Sequence, residues 1–583
     1  MSRKRGCDSI TLILMRLSRD RVRELLLLGG LCGFFFFFRL SGIGLLGPDE
    51  PRYAQVAREM LAGHNWITPV LYGHTWLEKP ILLYWGEMLS YCVYGVTDFA
   101  ARVPSAVAAT LLVFGVFLAV RRLRHEARLD AALMVATGVL ILGFARAAAT
   151  DMLLAAPFAL SLLAWFCWHQ AAFESAENSS HSGTRFYLVL FYALNAVAAL
   201  AKGPVAPALA ALVLVVFCAM QRNPRALLRT LDPLGIAAFV LIAGPWYVLV
   251  QLHTPEFFRV FFLQHNLARF GSNLYRHKQP FWYYIPVALV GTLPWTVWLL
   301  HGIGDAWSAL RSQIRGGPAA RSETFGATFT FEIFLAVWAV VPIAFFSLSH
   351  SKLPGYILPS VPALLILGAV AVHRRALRNE RPHWLAVCFH ALLLAVIAGA
   401  LCIAPRLLLK LPITPNSLVI AACAGTAVFL IVALPLLTAG WRMLRFVTLL
   451  PLILAVGFLL RVLTPVVDAT QSARPVAELL QLIDPREPGS ASLPIATFEL
   501  NRNTALGLAF YLDSRVAPYE GLELSPAVYE LPAAIPAGAH ILVTREGSLP
   551  GLRRLLPERT LHFIGSYRAQ HIEIYQVSSA VPQ

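Results

Sequence analysis

The sequence predicts a polytopic α-helical membrane protein with a small α/β domain at its C-terminal end. Three observations predict it. Of 583 residues, 57% are hydrophobic and only 14% are Asp, Glu, Lys or Arg, whereas soluble domains carry about a quarter charged residues. The mean hydropathy is +0.64. Apolar stretches long enough to cross a hydrocarbon core of about 30 Å, roughly 20 helical residues, recur as far as residue 464 and then stop.

Thirteen such stretches are legible, near 24–46, 101–120, 130–147, 151–171, 185–201, 203–220, 233–252, 281–303, 330–348, 355–372, 384–404, 415–437 and 444–464. The first follows a basic start but lacks a small-residue cleavage pattern, so it is expected to stay as a helix. An N-terminus in the cytoplasm places 24 basic residues on that side, among them Arg121, Arg122, Arg374, Arg375, Arg442 and Arg445. The opposite loops hold about half as many, as the positive-inside rule expects. Most of the net charge of +16 is therefore topology, and nucleic acid is not needed to explain it. The eight cysteines form no CxxC pair, so neither a disulfide framework nor a zinc ribbon is implied.

These features divide the chain into a membrane domain, 1–464, and an outer soluble domain, 465–583. In the latter, 475–483 and 505–512 read as helices, and 495–500, 540–544 and 572–577 as strands. The first outer loop, 47–100, is the longest between spans. It carries two aromatic-rich amphipathic stretches, expected to lie in the interface plane. Asp49 and Glu50 precede one; Glu78 and Lys79 open the other. Carboxylates are favoured at any helix N-terminus, so that reading stands beside a catalytic one. Asp151 opens the fourth span and can be a simple cap. Lys202, between two spans, can snorkel to headgroups. Later outer loops add His265, Arg269 and Lys352 among aromatics.

Cations at a membrane surface suit the phosphate of a lipid-linked substrate. A carboxylate can accept a proton from an acceptor hydroxyl, orient the acceptor, or balance positive charge on a sugar ring. No P-loop, GxSxG elbow or HExxH pair occurs, which removes support for ATPases, serine hydrolases and zincins.

Asp49-Glu-Pro-Arg-Tyr-Ala54, Arg58-Glu-Met60, Glu78-Lys-Pro80, Leu83-Tyr-Trp85 and Phe99-Ala-Ala-Arg-Val-Pro-Ser105 run in one order. Thr150-Asp151, Lys202-Gly-Pro204, His265-Asn266 with Arg269-Phe270, and Ser351-Lys-Leu-Pro-Gly-Tyr-Ile-Leu-Pro359 continue it. The series resembles the ArnT-like lipid A 4-amino-4-deoxy-L-arabinose transferases and the wider protein O-mannosyltransferase superfamily. It covers the membrane body well and the tail loosely. One departure is Ile81, where many relatives repeat the proline.

The resemblance implies a GT-C fold with juxtamembrane helices and an inverting transfer from a polyprenyl-phosphate sugar to lipid A or another envelope acceptor. It places the protein in the bacterial inner membrane, its C-terminal domain in the periplasm. It implies Asp49 as leading catalytic carboxylate, with Asp151 a second acid and Glu50 beside it. Lys79, Lys202, Arg269, Tyr53, Tyr84 and Lys352 become candidates for the donor phosphate. It also implies a structural divalent metal, zinc, between Glu78 and His265, although zinc shells ordinarily close at four ligands. A protein O-mannosyltransferase-like enzyme and, in another class, a transporter or flippase of lipid-linked substrates are the alternatives. An envelope-binding tail on an inert anchor is a minor third.

Overall fold

A computed structural model describes residues 21–174, 182–268, 279–315, 323–484, 493–525 and 529–578. Among these, eight helices are long and apolar enough to cross a membrane, or up to ten if each of two bent pairs is one span. All thirteen expected stretches fall on helical segments, but several are not straight, full-length spans. Val205–Met220 has 16 residues, about 24 Å at the helical rise and so shorter than the hydrocarbon core. The 24–46 stretch leaves helix after Phe37, and Arg39 takes a φ of 50°. His125–Thr137 and Val139–Ala145 meet at 60°. At the intervening Gly138 a Cβ would stand 2.7 Å from the Leu365 side chain. The 281–303 stretch splits into helices bent by 114°.

The last two expected spans belong to one helical run, Pro415–Gln471, broken at Gly440, whose φ is 70°. That run passes the expected domain boundary at 464, because Thr464–Gln471 continues it as helix. Helices Thr150–Ala172 and Pro354–Leu377 form the centre of the body and are buried along most of their apolar length. Pro233–His253 lies at the periphery and presents Leu241 and Leu252 outward, which lipid tails tolerate.

Four helices position the candidate site: α1 (Asp49–Ala62), α2 (Leu82–Tyr94), α3 (Asp98–Leu123) and α4 (Thr150–Glu174). Helix α3 starts where the Thr97 side chain accepts from the Ala100 amide, at 3.2 Å. Helix α1 lies between the membrane body and the C-terminal domain and not on an open surface. Nine of its fourteen residues are buried, including Glu50, Arg52 and Gln55, because the C-terminal domain covers it and supplies polar partners.

Helix α2 buries Glu87 completely, and neither carboxyl oxygen has a hydrogen-bond partner. Burial, and then the charge of Glu50, raise its pKa well above the ordinary value. The folded state therefore holds a proton that the unfolded chain releases. The associated stability is present below the unfolded pKa and is lost as pH rises toward the folded one. Glu87→Gln keeps the shape without that loss. Its melting temperature should exceed the native value by on the order of 2 °C at pH 8, with no difference at pH 4, as scanning calorimetry in detergent would read.

The C-terminal domain contains β1 (Ile495–Phe498), β2 (Val516–Pro518), β3 (His540–Arg545), β4 (Leu561–Tyr567) and β5 (Ile572–Val577). The sheet order is β2-β1-β3-β5-β4, with β2, β1 and β3 parallel and the other pairings antiparallel. Helices α5 (Arg502–Leu512) and α6 (Leu549–Leu555) cover it. Polar bonds join this domain to the body. Arg58 donates to the Phe510 carbonyl and pairs with Asp513, each at 2.7 Å. Arg474 pairs with Asp98 at 2.8 Å and Asp468 at 2.6 Å.

Candidate active site

The Asp49-Glu-Pro-Arg-Tyr segment begins α1, so Asp49 and Arg52 share a helix face one turn apart. Arg52 Nη2 lies 2.6 Å from Asp49 Oδ1 and 3.4 Å from Glu78 Oε2. Its Nη1 donates to the Leu524 carbonyl at 2.7 Å, and its guanidinium stacks 5.1 Å from the Trp76 ring. Burial opposes the Arg52 charge, but Glu78, Tyr53 and Asp49 outweigh it and raise its pKa. The result is a fixed cation between two carboxylates. The Asp49 side chain is 55% exposed, so its carboxylate is both anchored and open to a ligand.

Lys79 Nζ stands 3.1 Å from Glu78 Oε1. The rings of Tyr53 and Tyr84 meet edge to face at 6.2 Å. Burial and then neighbouring carboxylates raise both phenol pKa values, leaving each hydroxyl protonated as a hydrogen-bond donor. Asp49, Glu78, Lys79, Tyr53 and Tyr84 are thus one cluster organised by Arg52.

Glu50 has a different environment. Its oxygens receive Arg102 Nη2 and Nε at 2.7 and 3.1 Å, and the Leu46 and Ala148 amides at 2.7 Å each. These four donors make Glu50 a clamp that ties α1 to α3 and to the turn before α4. The Ala148 bond holds the turn that leads into α4.

That turn places Asp151, whose Oδ1 lies 2.7 Å from Lys202 Nζ. The ammonium sits 5.2 Å from the centre of the Tyr356 ring. A Cβ at Gly355 would come within 2.5 Å of Asp151 Oδ1, so the Ser351–Pro359 segment meets Asp151 only through glycine. An ammonium has three donors, and Asp151 occupies one. Lys352 is buried and donates to the Ser349 and Gln279 carbonyls at 2.5 and 3.2 Å, a structural use of its charge.

Arg269 lies outside the described residues, as does the side chain of His265. No cluster of three or more His, Cys, Asp or Glu able to hold a metal occurs among the described residues. Glu78 is flanked by the cations of Arg52 and Lys79.

Two neighbouring spaces meet at Arg146. One, of about 420 Å³, is lined by Gly47, Glu50, Arg102 and Arg146. The other, of about 300 Å³, runs between apolar side chains such as Leu142, Leu394 and Pro451, and shares Arg146. A cationic chamber continuing into an apolar groove suits an anionic lipid headgroup and its tail. Arg52, Arg102 and Arg502 were not singled out from sequence. For Arg52 the signal was available, since it stands one helical turn after Asp49.

Residues 43–261 match the family model described as dolichyl-phosphate-mannose-protein mannosyltransferase. The crystal structure of ArnT from Cupriavidus metallidurans bound to undecaprenyl phosphate superimposes with a TM-score of 0.74 at 25% identity, covering 96% of this chain and 99% of that one. Helical body, first-loop helices and C-terminal sheet domain define a multi-pass membrane protein of the GT-C glycosyltransferase fold. The undecaprenyl phosphate-α-4-amino-4-deoxy-L-arabinose arabinosyl transferase of Erwinia tasmaniensis is 31% identical over 438 residues, 72% of this chain and 73% of the relative. The chain belongs to that arabinosyl transferase family. With the Pseudomonas aeruginosa PAO1 relative the identity is 34% over 371 residues, and the match spans 62% of that relative's length.

Proposed function

We propose that this protein is an inverting glycosyltransferase that moves 4-amino-4-deoxy-L-arabinose from an undecaprenyl-phosphate donor to a lipid A phosphate. The reaction takes place on the outer face of a bacterial inner membrane, with the N-terminus cytoplasmic and the C-terminal domain periplasmic. The observation that carries the reading is the exposed Asp49 carboxylate, fixed by buried Arg52 and next in sequence to Glu50, which lines the cationic chamber. The relatives' names supply the sugar and the donor.

In this reading an acceptor phosphate oxygen attacks the anomeric carbon as the bond to the donor phosphate breaks. The bonding pair leaves with the polyprenyl phosphate. A phosphate acceptor is ionised near neutral pH and needs no general base. Asp49 instead balances the positive charge that develops on the sugar ring, as carboxylates do in glycosyl transfer. Lys202 offers its remaining donors to the departing phosphate, and Lys79 adds its charge. The alternative of protein O-mannosyl transfer draws support from the matching family model and would require Asp49 to accept a hydroxyl proton.

The test is purified protein incubated with undecaprenyl-phosphate aminoarabinose and lipid A, followed by mass spectrometry of both lipids. Aminoarabinose-modified lipid A with equimolar undecaprenyl phosphate is expected. Transfer only from a mannosyl donor to a hydroxyl peptide would replace this reading with the alternative.

A further inference from the structure

We propose that a polar cleft between the C-terminal domain and the membrane body docks the phosphorylated saccharide headgroup of the acceptor. The proposal rests on the glycosyl-transfer reading above and adds where the acceptor is held. Helix α5 leaves β1 and packs with Leu506 and Leu508 in the same core as Ile495, Ile541 and Val543. Helix α6 follows β3, and its Leu552, with Leu556 just past its end, packs with Ala496, Phe498 and Leu542. Alternate residues of the same two strands face opposite sides, so the chain leaves neighbouring parallel strands toward opposite faces. That divergence opens a crevice at their carboxyl ends, where open α/β sheets receive ligands.

A cavity of about 400 Å³ occupies this crevice, and its lining includes Lys410, Asn501, Asn503, Thr504, Arg545 and His571. Arg545 is the last residue of β3, and Lys410 comes from the membrane body just beyond helix Trp384–Leu408. Two cations from separate walls, among amides and a hydroxyl, match an anionic saccharide better than an apolar ligand. The acidic Glu499 in the lining accepts a hydrogen bond from Ser548. His571 pairs with Glu546 at 2.9 Å. The Gln570 amide donates to the Ala469 and Ser472 carbonyls at 3.0 and 2.7 Å, which fixes the domain wall against the body.

Position relates this cleft to the reacting group. Arg502, between Asn501 and Asn503, donates to the Leu524 carbonyl oxygen that also receives Arg52. Arg52 in turn holds Asp49. Since Arg58 meets Phe510 one domain layer along, α1 and α5 run side by side with their N-terminal ends together. The Asn501–Asn503 stretch that lines the cleft is therefore joined, through Arg502 and the Leu524 carbonyl, to the start of α1 that carries Asp49.

The experiment uses the full-length protein with Arg545→Ala/Lys410→Ala, two exposed positions away from the Asp49 cluster, and Arg545→Lys as the conservative control. Kinetics at varied lipid A should show acceptor KM raised about tenfold or more, the loss expected for charge-assisted bonds. Donor KM and kcat at saturating acceptor should stay native, and Arg545→Lys should recover part of the affinity. Equilibrium dialysis adds an arm independent of turnover, with deacylated phosphorylated saccharide, the same saccharide without phosphate, and inorganic phosphate as probes. Binding of the first alone, lost in the double variant, supports the cleft. Equal binding of inorganic phosphate, or an unchanged acceptor KM with undiminished saccharide binding, overturns it. Native protein that binds the saccharide but transfers no sugar would sink the transferase reading and leave the docking site standing.

Discussion

Asp49→Asn should lower kcat for sugar transfer by about 10²–10³-fold, the usual cost of losing one preorganised electrostatic group. The substitution keeps the side chain's size and its hydrogen bond to Arg52 but removes the negative charge. Donor KM should change little, because the lysines assigned to the phosphate stand on Glu78 and Asp151 and not on Asp49. A fall in kcat and kcat/KM together identifies an interaction made chiefly in the transition state. Initial-rate kinetics over donor concentration would check it. Native kcat in the Asp49→Asn variant would remove Asp49 from catalysis. If the acceptor were a hydroxyl, the defect would also shrink as pH rises and the hydroxyl ionises, whereas a phosphate acceptor predicts a defect independent of pH above about 7.

The largest stability effect belongs to Arg102→Ala. Arg102 is 3% exposed. Besides Glu50 it serves the Leu40, Ile43 and Gly44 carbonyls at 3.0, 2.5 and 2.9 Å. Removing it leaves a buried carboxylate without its cation and three carbonyls without that donor. Breaking a buried pair in this way costs about 3–5 kcal/mol. Thermal unfolding in detergent should show a large fall in melting temperature. Glu50→Gln, which keeps much of the hydrogen-bonding shape, should lose less. The double variant Glu50→Gln/Arg102→Ala should be less destabilised than the sum of the single changes, because the two side chains share one interaction. Additive losses would show that the clamp is not a unit.

Local periodicity carried the fold a long way. The apolar stretches, the strands near 495, 540 and 572, and the helices near 475 and 505 all lie where the residue pattern puts them. Strand β4 escaped because it is an edge strand whose residues are mostly exposed, so no in-and-out alternation marks it. Strand β2 has three residues, too few for a period. The span breaks at Gly138 and Gly440 depend on close packing and on a positive φ, neither of which hydropathy encodes.

The site was legible as residue types and motifs, not as partnerships. Asp49 and Glu50 are adjacent in sequence, yet one is open to a ligand and the other is saturated by Arg102, which lies in the next helix but one. The Asp151–Lys202 pair joins the start of one helix to the end of another. Nothing in a single sequence reports which of two neighbouring carboxylates tertiary structure will enclose. Arg502 was hidden for another reason: its role comes from the C-terminal domain folding back on α1, and the tail carries little of the resemblance. Glu87 reads as one polar residue on a helix, and only its surroundings reveal a buried carboxyl without a hydrogen-bond partner.

Sugar transfer to lipid A at Asp49 is tested most directly by mass spectrometry of lipid A from cells lacking the gene and complemented with either native or Asp49→Asn protein at matched membrane levels. Aminoarabinose-bearing lipid A is predicted with the native protein and almost none with the variant. Identical lipid A spectra from the two strains, whether both modified or both unmodified, would contradict it.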